Sequence, residues 1–120
     1  MLDLFGVLTF PGLLRYKALL DGQMVGFIAA ERKPGEQAGW IATVAVLPDY
    51  RRRGIAQGLI AQCEANLGAP EMRLCVRVSN QGAIELYKKL DYEVLNTWRQ
   101  YYRDGEDALV MRKSLPGAGE

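Results

Sequence analysis

Pro48 to Leu59, PDYRRRGIAQGL, connects an apolar run to a helical pattern and puts three arginines and a glycine at the junction. The first N–H groups of a helix have no partner within the helix, and the helix dipole makes this end positive. Arg51 to Arg53 are therefore electrostatically disfavoured there unless an anion binds. Gly54 and Ala56 leave room for such an anion beside the backbone amides of residues 52–57. The stretch predicts a phosphate-binding turn, with a solvated basic turn as the alternative.

Composition excludes several classes of protein. The 120 residues, 49% of them hydrophobic, suit one domain over 1–120 with a single core. Fifteen Lys and Arg against 14 Asp and Glu give a net charge of +1, whereas nucleic-acid or membrane-surface binders need a broad positive field. No apolar run approaches the roughly 20 residues of a membrane span, and the N-terminus lacks the basic start of an export signal. With no histidine and no CxxC spacing, neither a metal site nor a disulfide framework is expected, and the cytoplasm is the default location.

The hydrophobic pattern predicts alternating strands and helices. Asp21-Gly22 between two apolar runs is a strong hairpin signal, because such residues tolerate positive φ. Apolar residues at helical spacing predict an amphipathic helix over Gly54 to Leu67. The order ββ, βα, βα, ββ indicates a mixed sheet with helices on its faces. The other predicted elements are strands at Leu13–Leu20, Met24–Glu31, Trp40–Leu47 (buried and central) and Met72–Val78, a helix including Ala83 to Leu90 that Ser79 or Asn80 caps, and a closing hairpin of Tyr92–Tyr102 with Ala108–Leu115.

Three stretches, in order along the chain, resemble one protein family. Arg51-Arg52-Arg53-Gly54-Ile55-Ala56 after TVAVLP resembles the Q/R-x-x-G-x-G/A signature of the GNAT superfamily of acyl-CoA-dependent N-acyltransferases. VRVSNQGAIELYKKLDYE (Val76 to Glu93) resembles the next strand and helix of that family. YYRDGEDALVMRKSL (Tyr101 to Leu115) is similar to its subgroup that acetylates ribosomal-protein alanine and other protein N-termini. The resemblance implies an α/β (α+β) fold with a mixed, mostly antiparallel sheet and helices on both faces.

The resemblance also implies acetyl-CoA as co-substrate, without a metal. Its pantetheine arm is expected to pair as an extra strand along residues 44–46, and its diphosphate to lie on the turn at 52–57. Tyr87 matches the tyrosine that is proposed to protonate the leaving thiolate; without the resemblance, Tyr87 and Tyr92 are expected to be half-buried aromatic residues. The expected cofactor-binding residues are Val44, Ala45, Val46, Arg51, Arg52, Arg53, Gly54, Ile55, Ala56, Gln57 and Asn80.

The general base is the point at which the chain departs from its relatives. Attack on a thioester needs a neutral amine, and the usual base in this fold is a carboxylate or a water chain. The ribosomal-protein acetyltransferase has glutamate where this chain has Cys75, and WIATVAV offers no carboxylate instead. Alternation turns Cys75 toward a polar space, where it could carry the acyl group, but no imidazole activates it, so core packing is expected for Cys75 and Cys63. Glu31 is a further candidate base, expected to be exposed.

The pKa values of the possible acceptor amines indicate which amine is acetylated. An α-amine with a pKa of about 7.7–8.0 is roughly a tenth to a sixth neutral at pH 7, whereas a lysine amine at about 10.4 is neutral in roughly one molecule in 2,500. Without a direct base, lysine would need about 3.5 kcal/mol more help. The expected reaction is therefore direct attack on acetyl-CoA by a protein or peptide N-terminal amine in a ternary complex. The resemblance places Tyr101 and Tyr102 beside this acceptor; the alternative is that they fill a strand.

Two other functions stay open: a catalytically weak acyl-CoA-binding module, and acetylation of a small-molecule amine. Relatives place a strand and two helices before the segment that matches Leu13, whereas this chain has MLDLFGVLTFPG there. The N-terminal helices are therefore expected to be reduced or absent. Met1 to Phe10 is either the end of the second helix or a short strand, and its apolar character suggests that it covers the core or a partner subunit, so a homodimer is one expectation. The tail PGAGE is expected to fray.

Overall fold

The computed structural model describes residues 2–10 and 12–116, which form one seven-stranded sheet with two α-helices. In chain order the elements are β1 (Leu2–Phe10), β2 (Leu13–Leu20), β3 (Gln23–Glu31), β4 (Ala38–Val46), α1 (Ile55–Asn66), β5 (Glu71–Arg77), α2 (Gln81–Lys89), β6 (Glu93–Trp98) and β7 (Ala108–Ser114). The strand order is β1-β2-β3-β4-β5-β7-β6, with β4 and β5 parallel and the other neighbours antiparallel. A parallel pair needs a crossover connection, and α1 provides it. The mixed, mostly antiparallel sheet is confirmed.

The first hairpin forms at the turn that the sequence predicts. β2 ends at Leu20 and β3 begins at Gln23. The two residues between them, Asp21 and Gly22, have φ angles of 51° and 84°. Positive φ at both central residues gives a turn whose twist matches that of the strands, which is why an Asp-Gly pair specifies it.

The helix α1 has the predicted bounds and the predicted buried face. Gly54 is its N-cap, with a φ of 79°, and Leu67 is its C-cap. Gly26 in β3 allows α1 to begin close to the sheet, since a Cβ there would lie 3.1 Å from Ile55 Cγ2. The residues of the predicted apolar stripe are all buried: Ile55, Leu59, Ile60, Cys63 and Leu67.

The strands β4 and β5 pair along only part of their length. Their ladder joins Ala38–Ile41 to Glu71–Leu74 and goes no further. The register of β4 against β3 skips Ala42, because Ala30 pairs with Ile41 and Ala29 with Thr43. Beyond this bulge, β4 continues beside β3 but not beside β5. The strand is central, as expected, but its second half is not buried: Thr43 and Ala45 are exposed.

The two helices share one hydrophobic core. Leu59 of α1 and Ile84 of α2 belong to the same cluster as Met72 and Leu74 of β5. Arg73, between them on the opposite face of β5, is only partly buried. The fold expected from the sequence has helices on both faces; in the described part of the chain, α1 and α2 contribute to one core cluster and therefore pack against the same face.

The N-terminal segment is a strand, the second of the two expected alternatives. β1 pairs antiparallel with β2, and Leu4 packs against the core. No helix precedes β2 in residues 2–10 and 12. Most of the tail PGAGE lies outside the described residues. Neither described helix is long and apolar enough to cross a membrane.

The closing hairpin is shorter than predicted on its first strand. β6 ends at Trp98 instead of Tyr102, whereas β7 has nearly the predicted bounds. Gln100 has a φ of 51°, a left-handed conformation that a strand does not accommodate. Tyr101 and Tyr102 therefore lie in the loop, and the alternative that they fill a strand is wrong.

Candidate active site

A cleft of about 260 Å³ opens where β4 and β5 part. One wall is the unpaired edge of β4, another is the end of β5, and the start of α2 and the β6–β7 loop complete it. Its lining residues are Ile41, Ala42, Thr43, Val44, Leu74, Cys75, Val76, Arg77, Asn80, Ala83, Tyr87 and Tyr102. Five residues singled out from the sequence therefore meet here: Val44, Cys75, Asn80, Tyr87 and Tyr102.

A larger open depression, of about 720 Å³, lies between α1 and β7. Four of its charged side chains, those of Glu64, Glu93, Arg112 and Lys113, already have partners. The Glu64 carboxylate accepts hydrogen bonds from Lys113 Nζ at 3.0 Å and from the Tyr92 hydroxyl at 2.8 Å, and Arg112 pairs with Glu93 at 3.1 Å. This network links β7 to α1 and to β6, which is a structural role. The smaller cleft, where residues singled out from the sequence meet, is therefore the candidate site.

The second half of β4 presents a free backbone edge to the cleft. Residues Thr43 to Val46 pair with β3 on one side only, because the ladder to β5 has ended at Ile41. Such an edge offers N–H and C=O groups to any extended chain that lies beside it. Val44 lines the cleft, and Ala45 and Val46 continue the same edge toward the arginine-glycine turn.

The arginine-glycine turn leaves the first amides of α1 uncapped. No side chain caps this end of the helix, and its first turn holds no acidic residue. The left-handed Gly54 lies in open space, with nothing within 4 Å of the position that a Cβ would take. The three arginines differ in orientation: Arg51 Nε donates to the Val46 carbonyl at 3.1 Å, the Arg53 guanidinium lies 5.2 Å from the Tyr50 ring centroid, and Arg52 is exposed.

The helix α2 positions Asn80 and Tyr87 along the cleft. Asn80 is its N-cap, and Asn80 Oδ1 accepts a hydrogen bond from the Ala83 amide at 3.2 Å. Tyr87 lies two turns further on, buried against the Tyr92 ring at a centroid distance of 6.1 Å. Burial raises the pKa of the Tyr87 hydroxyl, and the neighbouring Tyr102 raises it further. Tyr87 is therefore a protonated hydrogen-bond donor at neutral pH.

The cysteines have different surroundings, and one expectation about them is wrong. Cys63 is fully buried in the core, as predicted, and burial raises the pKa of its thiol to about 12. Cys75 is not a core residue: it is half-buried and lines the cleft, because alternation along β5 turns it away from the helices. Burial also raises the pKa of the Cys75 thiol, which opposes formation of a nucleophilic thiolate.

A direct general base is absent from the lining of the cleft as far as the described residues go. None of the lining residues is a carboxylate or a histidine. Glu31 is exposed, as expected, and pairs with Trp40 at the closed end of the β4 strand, before the cleft begins. Within the described ranges, no group of three or more His, Cys, Asp or Glu residues could hold a metal ion.

The two loop tyrosines belong to a row of aromatic rings beside the cleft. Tyr102 lines the cleft itself, whereas Tyr101 lies outside it with 53% of its surface exposed. The ring centroids are 5.1 Å apart between Tyr101 and Tyr102, 5.4 Å between Tyr101 and Trp98, and 5.7 Å between Trp98 and Trp40. Sequence reasoning missed both tryptophans, since nothing local indicates that strands β4 and β6 bring them together.

Arg77 is the other site residue that sequence reasoning did not assign. It lines the cleft, and its guanidinium lies 4.1 Å from the centroid of the Tyr102 ring. The alternation of Arg73, Cys75 and Arg77 with apolar residues indicates a polar space beside β5. This pattern is the one signal in the sequence that points to Arg77 as a site residue. The partners of Arg77 lie in the β6–β7 loop, and no local pattern points to them.

Comparison with known proteins agrees with this geometry. The model of the acetyltransferase (GNAT) family matches residues 7–92. An N-alpha-acetyltransferase of Saccharolobus solfataricus is 36% identical over 118 residues, which cover 87% of this chain and 71% of that protein. The N-alpha-acetyltransferase daf-31 of Caenorhabditis elegans is 38% identical over 119 residues, and the match covers 92% of this chain but only 65% of that protein.

A solved structure has the same fold over the whole length of the chain. The ribosomal-protein-S18-alanine N-acetyltransferase from Escherichia coli superposes with a TM-score of 0.85 at 25% sequence identity, covering 100% of this chain and 97% of the other. The family model matches well over half of the chain, and the first relative is more than 30% identical over more than two thirds of its own length. The chain therefore belongs to the acetyltransferase (GNAT) family.

Proposed function

We propose that the protein transfers the acetyl group of acetyl-CoA to the α-amine of a protein or peptide N-terminus, by direct attack in a ternary complex. The observation that carries the proposal is the cleft between β4 and β5, which Tyr87 and Tyr102 border and no described carboxylate lines. An α-amine suits a site without a direct base, because a useful fraction of it is neutral at pH 7. The relatives named N-alpha-acetyltransferases support the same acceptor.

The donor has two separate binding elements in this proposal. The uncapped amides at the start of α1, with the surrounding arginines, bind the diphosphate. The free edge of β4 along Val44 to Val46 binds the pantetheine arm. The amide nitrogen of Asn80 serves the same arm, since Asn80 Oδ1 is already engaged in capping α2. When bound, acetyl-CoA supplies the activated carbonyl and a thiolate leaving group.

The acceptor enters from the side of the aromatic row. Tyr101 and Tyr102 contact the peptide, while its amine reaches the cleft near Cys75. The neutral amine attacks the carbonyl carbon, the C–S bond breaks, and the Tyr87 hydroxyl donates its proton toward the departing sulfur. Water takes up the proton that the amine loses, and a proton from water then restores the Tyr87 hydroxyl.

Release of free thiol from acetyl-CoA at pH 7, measured with matched acceptors, tests the proposal. One peptide has a free α-amine and no lysine, and its partner has a blocked N-terminus and one lysine. We expect turnover with the first and at least about 100-fold slower turnover with the second, since a lysine amine is neutral roughly 250- to 400-fold less often than an α-amine at this pH. Preference for the lysine peptide contradicts the proposal.

Two outcomes would favour the other functions. Acetyl-CoA binding without turnover on any amine would indicate an acyl-CoA-binding module, which the lack of a carboxylate in the cleft makes the second candidate. Faster turnover with a polyamine than with the peptide would indicate a small-molecule acetyltransferase. A polyamine is a multiple cation, and the described lining of the cleft has no acidic group to bind it.

Three wider properties belong to the same proposal. A single domain over 1–120 is supported by the one sheet and the one core cluster of the described residues. A cytoplasmic location is supported by the two free cysteines, Cys63 and Cys75. A homodimer is supported by the strand β1, whose outer edge has no neighbour in the described sheet and whose sequence, LDLFGVLTF, has one charge.

A further inference from the structure

The loop of residues 99–107 carries Tyr101 and Tyr102 but has little regular structure of its own. Two of its residues, Gln100 and Gly105, have positive φ angles. Within the loop, the Tyr102 amide donates to the Glu106 carbonyl at 3.1 Å, and the Gly105 amide donates to the Tyr102 carbonyl at 2.9 Å. These bonds shape the turn but do not fix its position over the cleft, which needs a contact from outside the loop.

The Val78 amide anchors the end of the loop by donating to the Asp107 carbonyl at 3.2 Å, and Arg77, the last residue of β5, makes the side-chain contact. Arg77 Nη1 donates to Asp104 Oδ2 at 2.8 Å and to Glu106 Oε1 at 2.9 Å. The other oxygen of the Glu106 carboxylate accepts a hydrogen bond from the Ser79 amide at 2.9 Å. The Glu106 amide lowers the pKa of the Asp104 carboxyl, Ser79 lowers the pKa of the Glu106 carboxyl, and the hydrogen bonds from Arg77 lower both further, so both are ionised at neutral pH.

The same guanidinium also contacts the aromatic residue that lines the cleft. It lies 4.1 Å from the centroid of the Tyr102 ring, which is cation–π distance. One side chain thus joins the end of β5, two carboxylates of the loop and Tyr102. Exposed ion pairs add little to the stability of a fold. These contacts of Arg77 therefore fix the position of Tyr102 and contribute little to the stability of the fold.

We propose that Arg77 is a positioning residue for the acceptor: it holds the 99–107 loop so that Tyr102 stays over the cleft and Tyr101 beside it. The inference rests on the proposed function, since it concerns how that acceptor is bound. Arg77 acts through Tyr102 and takes no part in proton transfer. Its loss should therefore raise the KM of the peptide and leave kcat and the KM of acetyl-CoA nearly unchanged.

The kinetic test compares Arg77→Met with Arg112→Met. Arg112 is also an ion-paired arginine, bound to Glu71 and Glu93, but it lies outside the cleft. We expect Arg77→Met to raise the peptide KM about tenfold, with kcat within about threefold, and Arg112→Met to leave both parameters near wild type. Arg77→Lys, which keeps the charge, should recover part of the loss. An equal rise in both methionine variants, or a loss confined to kcat, overturns the proposal.

A double variant tests whether Arg77 acts through the tyrosine. Tyr102→Ala should raise the peptide KM, and adding Arg77→Met to it should raise the KM by less than about twofold more, because both changes remove one interaction. Independent, multiplicative effects overturn the proposal. If Arg77→Met does not fold, Asp104→Asn with Glu106→Gln removes the same contacts from the other side and should reproduce the rise in KM.

A structural measurement separates this inference from the proposed function. Amide hydrogen exchange of the free protein reports on the N–H groups of Tyr102 and Gly105 without any substrate. We expect Arg77→Met to accelerate their exchange about tenfold and Arg112→Met to leave it unchanged. Unchanged exchange in Arg77→Met overturns the inference even if the protein acetylates peptides, whereas accelerated exchange supports the loop contact even if the acceptor proves to be different.

Discussion

Tyr87 shows how one residue can serve both the core and the cleft. It packs against Tyr92 in the core, and it also lines the cleft. Because burial raises its pKa, it keeps its proton at neutral pH and can donate a hydrogen bond to a departing thiolate. The sequence alone favoured a half-buried aromatic residue, and only the resemblance suggested a proton donor; the structure is compatible with both roles.

Tyr87→Phe should separate these roles. Removing the hydroxyl keeps the ring in the core, so we expect kcat to fall about 100-fold while the Kd for acetyl-CoA changes by less than about threefold. The measurements are thiol release and calorimetric titration. Tyr92→Phe is the matched control: it loses the hydrogen bond to Glu64 and some stability, but it lies outside the cleft and should keep its kcat. Equal kcat values in the two variants would remove Tyr87 from the mechanism.

Cys75 shows what the sequence could not predict about a single residue. Its position on β5 followed from alternation, but the expectation that it packs in the core did not hold, because no helix covers that face in the described residues. Its raised pKa and the absence of histidine from the chain both oppose a covalent acyl-cysteine. Direct attack by the amine therefore remains the simpler route.

The helix α1 depends at its start on a backbone conformation that favours glycine. Gly54→Ala forces a side chain into the left-handed region although the space around it is open, so we expect a loss of about 1–2 kcal/mol in the free energy of unfolding. Gly82→Ala in α2 is the matched control, because that position is equally open and has no positive φ. It should add about 0.4–1 kcal/mol. Urea unfolding measures both; effects of the same sign would contradict this account of Gly54.

The cleft exists because the strands β4 and β5 separate after Ile41 and Leu74. A parallel pair that continued past Ile41 and Leu74 would fill the cleft with backbone hydrogen bonds. The bulge at Ala42, which has no partner in β3, changes the direction of β4 at that point, as bulges do next to active sites. The run WIATVAV contains no glycine or proline that would predict a bulge. Only the register of β4 against β3 shows it.

At the scale of the molecule, binding of coenzyme A should stabilise the folded state. At a concentration of 100 times the Kd, a ligand adds about 2.7 kcal/mol, which in a chain of this size corresponds to a rise in Tm of about 10 °C. Dephospho-coenzyme A keeps the diphosphate and should retain most of the rise. Pantetheine lacks the diphosphate and should cause almost none at the same concentration. A thermal melt measures all three, and an equal rise with pantetheine would contradict the anion site at α1.

Much of the fold was predictable because its signals are local. The Asp21-Gly22 turn and the 54–67 helix follow from φ preferences and from a periodicity of 3.6 residues, which tertiary contacts only reinforce. The arginine-glycine turn and the candidate residues Asn80 and Tyr87 followed from motifs that recur in the family. The bounds of β6 did not follow, because the left-handed Gln100 ends it against the local pattern.

The sequence by itself determined most of the secondary elements, the arginine-glycine turn and the residues available for chemistry, since each depends on neighbours within a few positions. Only the tertiary structure decided where β4 leaves β5, which face Cys75 occupies, and that Arg77 meets Asp104 and Glu106 from 27 and 29 residues away. The physical reason is that strand order and register set such contacts. They are properties of the whole sheet, and no short stretch of residues encodes them.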